Sequence, residues 1–149
     1  MPAFATKRRV PFTSRQMFDL VADVENYPKF FPLCEALRVK SRDANGKGLV
    51  AEMDVGYSAI RETITSRVTL DPANLAVAAE LLKGPFKKLE NRWRFTEATG
   101  GCDVHFSIDY EFSSFMLQML VGAVFDQAFR RCTEAFEKRA HEVYGPPVA

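Results

Sequence analysis

CDVHFSIDYEFSSFMLQMLVGAVF (Cys102–Phe125) holds the transition that decides the fold. Up to Phe112 the apolar residues Cys102, Val104, Phe106, Ile108, Tyr110 and Phe112 alternate with Asp103, His105, Ser107, Asp109 and Glu111. A period of two marks a strand with one buried face. Ser113 then stands as the N-cap of a helix. This helix is expected to run to about Tyr144, where Gly145–Pro146–Pro147 supplies a left-handed cap and a stop. Roughly 31 residues at 1.5 Å each span about 46 Å. Its first part, Phe115–Phe125, is apolar on nearly every side, with Gln118 the one polar residue. Its second part, 126–142, is amphipathic, with Asp126–Arg130 and Glu134–Lys138 at stabilising i,i+4 spacing.

Upstream of this junction the same alternation recurs. AFATKRRV (Ala3–Val10) reads as a first strand that Pro11 stops. Thr13 and Gln16 have capping-box spacing, with Phe12 and Met17 placed as a staple, so a helix is expected over Ser14–Ala22. Asp23 caps a further turn at Val24–Tyr27, and Pro28 and Pro32 bracket Phe30–Phe31 in a stiff aromatic elbow. Strands follow over 35–42, 49–57, 60–70, 75–82 and 89–96, with turns at Asn45–Gly48, Asp71–Asn74, Gly84–Pro85 and Thr99–Gly101. Each strand shows one apolar face, so one side of the sheet needs cover, and the C-terminal helix is the one element large enough to supply it. The expected class is α+β: a curved antiparallel sheet of about seven strands wrapped around a long C-terminal helix, with two short helices after the first strand.

Composition narrows the function. The chain has 149 residues, 47% of them hydrophobic, and a formal charge of +1. One domain over 1–149 is expected. No strong field invites nucleic acid, and no direct DNA binding is expected. The aromatics are 13 Phe, 4 Tyr and 1 Trp, a balance that suits either a plain core or a lipid-like pocket. Cys34, Cys102 and Cys132 form no metal or disulfide pattern, and the first twelve residues lack the apolar region of a secretory signal, so the cytoplasm is the expected compartment. No nucleophile elbow, zinc, redox or phosphate-loop motif occurs. The chain is therefore expected to be no enzyme, with no catalytic residue, no metal and no cofactor. His105 lies on a polar strand face and His141 near a helix end, both expected at the surface.

Glu62 is the one acid on an apolar strand face. Buried and unpaired it would favour its neutral form and offer a polar contact to a carbonyl or quinone oxygen; turned outward or paired it would have no such role. Segment 115–125 admits three roles: buried core, cover of a ligand cavity, or membrane-contacting surface. About eleven residues reach only about 16 Å, half of a ~30 Å hydrocarbon core, so it cannot span. Gly122 within it implies close approach of the helix to the sheet or to a ligand. Lys7–Arg8–Arg9 reads as a charged edge strand, with contact to anionic headgroups as the alternative.

VADVENYPKFFPLC (Val21–Cys34), GPFKKLENRWRF (Gly84–Phe95), IDYEFSS (Ile108–Ser114) and AFEKRA (Ala135–Ala140) together resemble the coenzyme Q-binding protein family. That family sits within the polyketide cyclase/START-like superfamily with the helix-grip fold. The resemblance covers residues 3–144, with Tyr27, Pro28, Phe31, Pro32, Gly84, Pro85, Phe86, Leu89 and Trp93 at matched positions. It implies a hydrophobic tunnel between sheet and C-terminal helix. It also implies binding of ubiquinone or a related polyprenyl lipid without turnover, in support of quinone biosynthesis and respiratory electron transport. The expected lining is Tyr27, Phe31, Leu33, Met53, Val55, Ile64, Leu81, Phe86, Trp93, Ile108, Met116, Leu120 and Val124. A transient contact with the cytoplasmic side of the inner membrane would fit that role. The same family includes ribosome association toxins, which implies the large ribosomal subunit as an alternative partner. A cyclase-like enzyme using the same cavity is the third possibility.

Overall fold

Thr13 opens the first helix as its spacing requires: its hydroxyl accepts from Gln16 N and the Gln16 side chain accepts from Thr13 N. The structure, a computed structural model, describes residues 3–145. In chain order these form β1 (Ala3–Val10), α1 (Ser14–Ala22), a 3-10 turn (Val24–Lys29), β2 (Cys34–Arg42), β3 (Gly48–Tyr57), β4 (Ile60–Asp71), β5 (Ala76–Lys83), β6 (Phe86–Ala98), β7 (Gly101–Phe112), α2 (Phe115–Arg130) and α3 (Cys132–Tyr144). The strands make one antiparallel sheet in the order β1-β7-β6-β5-β4-β3-β2. The architecture is α+β, as expected. Chain neighbours pair throughout, except that β1 joins β7 and so leaves β1 and β2 as the two edges. Edge β2 carries two register shifts, between Cys34 and Ala36 and between Val39 and Ser41.

The alternation of β7 is realised in full, with Cys102, Val104, Phe106, Ile108, Tyr110 and Phe112 all buried. Those side chains and their counterparts on β3 to β6 line the concave face. Against it pack α1, through Met17, Phe18 and Val21, and α3, through Phe136 and Ala140. Gly101 has no room for a side chain, because a Cβ there would collide with the backbone of Val10. β7 can therefore start tight against the edge strand.

Four expectations need correction. The C-terminal helix starts one residue later than read, with Ser114 rather than Ser113 as its cap, accepting from Leu117 N. It is also two helices. Arg131 leaves the helical region at φ −96° and ψ 5°, although Arg131 N still bonds Gln127 O and Ala135 N bonds Arg131 O. No proline or glycine causes the break. It lies within the amphipathic part, between α2, which leans on β7, and α3, which docks under the elbow through Phe136. Third, what crowds Gly122 most closely is its own helix and not the sheet: a Cβ there would first meet the side chain of Gln118. Fourth, Gly145 ends α3 with a positive φ of 74°, but its ψ of −140° lies outside the left-handed helical region expected of the cap; Pro146 and Pro147 lie outside the described residues.

Candidate functional site

The elbow is built by Tyr27. Its ring meets Phe30, Phe31 and Phe136 at centroid distances of 5.9, 5.4 and 5.2 Å, and its hydroxyl donates to Val21 O. Phe136 of α3 also meets Trp93 at 4.9 Å, which ties elbow, sheet and helix together. Leu33 turns the chain into β2 with a φ of 66°. Beyond this cluster the elbow, the concave face of β2 to β7 and one face of the C-terminal helices surround an apolar cavity of about 140 Å³.

Eight of the expected lining residues meet in that cavity: Tyr27, Phe31, Leu33, Met53, Val55, Ile64, Trp93 and Ile108. Five do not. Leu81 stays on the concave side but sits over Gly84, outside the cavity. Phe86 stacks on Phe112 at 4.8 Å and packs against Tyr110 and Phe125, so it plugs one end of the fold. Met116 and Leu120 point outward, 69% and 58% exposed, and Val124 lies outside the lining. The reason is helical phase. An all-apolar segment carries no facing information, and the stripe 116–120–124 is the wrong one. The helix faces inward through Phe125, Ala128, Phe129, Cys132 and Phe136. That stripe is legible at i, i+3 and i+4 once it is extended back from the amphipathic half.

Glu62 is half-buried, paired in register with Val55, and absent from the cavity wall. The acid on the apolar face is thus no polar contact for a guest. Sequence reasoning also missed Ser66, Asn91, Ala79 and Leu89 in the lining. Asn91 is internally committed: its amide donates to Ser107 O at 3.0 Å and its carbonyl accepts from Trp93 Nε1 at 2.9 Å. Burial holds the Tyr27 hydroxyl and the Cys132 thiol well above their ordinary values, so both stay neutral. The cavity presents grease, and its few polar groups are already engaged or uncharged.

Half-buried residues occur on several sides of the wall: Leu33 and Leu37 beside the elbow, Met53 and Ser66 on β3 and β4, Ala79 on β5, Leu89 and Asn91 on β6, and Ala128 and Phe129 on α2. On its outer side α2 exposes Phe115, Met116, Met119 and Leu120 at 58–75%. No helix among the described residues is long and apolar enough to cross a membrane. The Lys7–Arg8–Arg9 run lies on edge strand β1 as expected, with Arg8 paired to Glu137 and Arg9 to Asp103, each at 2.6 Å.

Residues 10–137 match a family described as polyketide cyclase / dehydrase and lipid transport. The ribosome association toxin RatA of Escherichia coli K12 is 34% identical over 145 residues, which cover 97% of this chain and 90% of that protein. The mitochondrial coenzyme Q-binding protein COQ10 homolog B of Xenopus laevis is 32% identical over 147 residues, 95% of this chain and 59% of that one. The crystal structure of the Zhui aromatase/cyclase from Streptomyces sp. R1128 superposes with a TM-score of 0.83 over 97% of this chain and 98% of its own, at 18% identity. At that identity the likeness speaks for the fold alone.

Proposed function

Because this chain belongs to the polyketide cyclase / dehydrase and lipid transport family, we propose that it binds a polyprenyl lipid of the ubiquinone type in the cavity between elbow, sheet and α2, without chemical turnover. One observation carries this reading: the cavity wall is apolar throughout its working surface and offers no acid or base to a guest. An isoprenoid tail needs nothing more, since its burial is favourable at about 25 cal/mol per Å². The relative named for coenzyme Q binding supports the choice of lipid.

The cavity is smaller than a whole quinone. Apolar cavities of about 150 Å³ accept a benzene-sized guest, so the closed form seats a ring or an isoprene unit. A longer tail requires α2 to swing away about the break at Arg131. The exposed face of α2 meets the lipid surface from which such a guest is drawn, because a polyprenyl chain does not cross water unaided.

The test is organic extraction of the purified protein followed by mass spectrometry, with Ala128→Phe as the variant. Ala128 is half-buried on the cavity side of α2, so a phenyl ring there fills the space without disturbing the elbow. Trp93 is a poorer choice, since truncating a side chain 4% exposed costs about 3–5 kcal/mol and confounds folding with binding. Stoichiometric quinone in the parent and none in a folded Ala128→Phe is expected. Empty parent protein, or equal loading of both, would refute the reading.

A second reading rests on the relative named for ribosome association, which aligns over nine-tenths of its own length. Here the protein would act on the large ribosomal subunit. Cosedimentation with isolated subunits separates the two: subunit binding by quinone-free protein, undiminished in Ala128→Phe, supports the ribosomal role. A cyclase role has the superposed fold in its favour but finds no catalytic group in this cavity.

A further inference from the structure

Between the elbow and α3 lies a polar groove of about 570 Å³. Four cations line it, Lys29, Arg131, Lys138 and Arg139, against two acids, Glu134 and Glu142. The acids do little to neutralise it. Glu134 and Lys138 stand at i,i+4 yet do not pair within 4.0 Å, and among the described residues Lys29 and Arg131 join no ion pair; the one contact in the groove is Arg139 to Glu142 at 3.5 Å. Arg139 is the distinctive member. Its guanidinium lies 5.5 Å over the ring of Phe30, and its Nε is buried without any hydrogen-bond partner. An orphaned buried donor on a charged group calls for an anion or an equivalent acceptor.

We propose that this groove binds a phosphate group, held side-on by Nε and Nη2 of Arg139 after a small swing on Phe30, with Lys138, Lys29 and Arg131 closing around it. A planar guanidinium with ammonium groups around it matches a tetrahedral phosphate, whose several oxygens accept from different directions, better than a single carboxylate. Pro32 lines both the groove and the apolar cavity. The anion site therefore adjoins the cavity at Pro32, so a lipid surface drawn up to the cavity would present its phosphates there; a free phosphate offers the same chemistry. The inference stands independently of what the cavity holds.

The test follows the Arg139 Nε–H resonance and the amides of residues 131–142 by NMR. Inorganic phosphate is titrated against sodium chloride at equal ionic strength. Flotation with phosphatidylglycerol/phosphatidylcholine vesicles, and with phosphatidylcholine alone, forms the second arm. Saturable shifts centred on Arg139 are expected, with apparent affinity about tenfold weaker in Arg139→Gln. Lys138→Gln, exposed and outside the core, should weaken it as well, which keeps the test valid if Arg139→Gln misfolds. Binding to phosphate alone identifies a soluble ligand. Charge-dependent flotation that both variants weaken identifies a headgroup. Shifts that chloride reproduces, or binding that both folded variants retain unchanged, would overturn the site.

Discussion

Asp54 shows how much of this protein's surface chemistry is settled by single neighbours. Arg38 grips its carboxylate through two hydrogen bonds of 2.9 Å, and the Thr63 hydroxyl adds a third of 2.9 Å. The Arg38 bonds, more than any other cause, hold the Asp54 carboxyl down at about 2. A carboxyl lowered on folding stabilises above its unfolded value of about 3.9 and loses that contribution as pH falls towards 2. Asp54→Asn should therefore melt below the parent at pH 6, with the gap closing between about pH 4 and pH 2; a gap constant across that window would contradict the assignment. At this scale the sequence was legible where side-chain parity decides the answer. Met53, Val55, Ile64, Trp93 and Ile108 of the cavity wall could be named from alternation, although Ser66, Leu89 and Asn91 of the same strands were missed. It was silent where two residues on the same face differ only in their neighbours. Trp93 is wall and Phe86 is plug, because Phe112 and Phe125 happen to close around the latter. Glu62 misled for a related reason: parity puts it on the concave face, but its place near the strand end leaves it beyond the rim.

Among the elements, α2 is the one that departs from its sequence reading. The structure divides segment 115–125: Val121 and Phe125 are buried, Phe125 in the cavity wall, while Phe115, Met116, Met119 and Leu120 are exposed. Phase was unreadable here because hydrophobicity on all sides has no moment to follow. Local chemistry at helix starts was far more legible, as the Thr13–Gln16 box shows, because it depends on contacts three residues apart. At Gly122 the nearest obstacle to a side chain is the flexible end of Gln118. Gly122→Ala should raise stability by up to about 1 kcal/mol through helix propensity, with the Gln118 side chain stepping aside. Chemical denaturation measures it; a loss of stability would mean that the backbone there meets something not seen in this conformation. Asp126 holds the other end of α2, accepting from Tyr110 at 3.3 Å and from Arg130 at 2.9 Å. Burial, together with that carboxylate, lifts the Tyr110 hydroxyl to about 12, so it remains a donor across the physiological range.

For the molecule as a whole, the division of the C-terminal helix sets the expected motions. α3 is fastened by Phe136 to the elbow and by the Tyr144 hydroxyl to Gln16 O at 2.7 Å, whereas the first turns of α2 carry apolar residues into solvent. Amide exchange should accordingly be faster in 115–124 than in 132–144, and should slow when a lipid is bound. Mass-detected exchange would show it, and equal protection of the two helices would argue against a mobile α2. The sheet's two ends bear on how chains meet one another. β2 is bent twice by its register shifts and studded with Arg38, Lys40 and Arg42; β1 carries Lys7, Arg8 and Arg9. A passing copy thus finds neither a flat run of free amides nor a neutral border to zip onto. Side-by-side polymerisation is hindered by the bends of β2 and by the charges of β1, so a chain that exposes so much grease on one helix has some protection from fibril growth by that route.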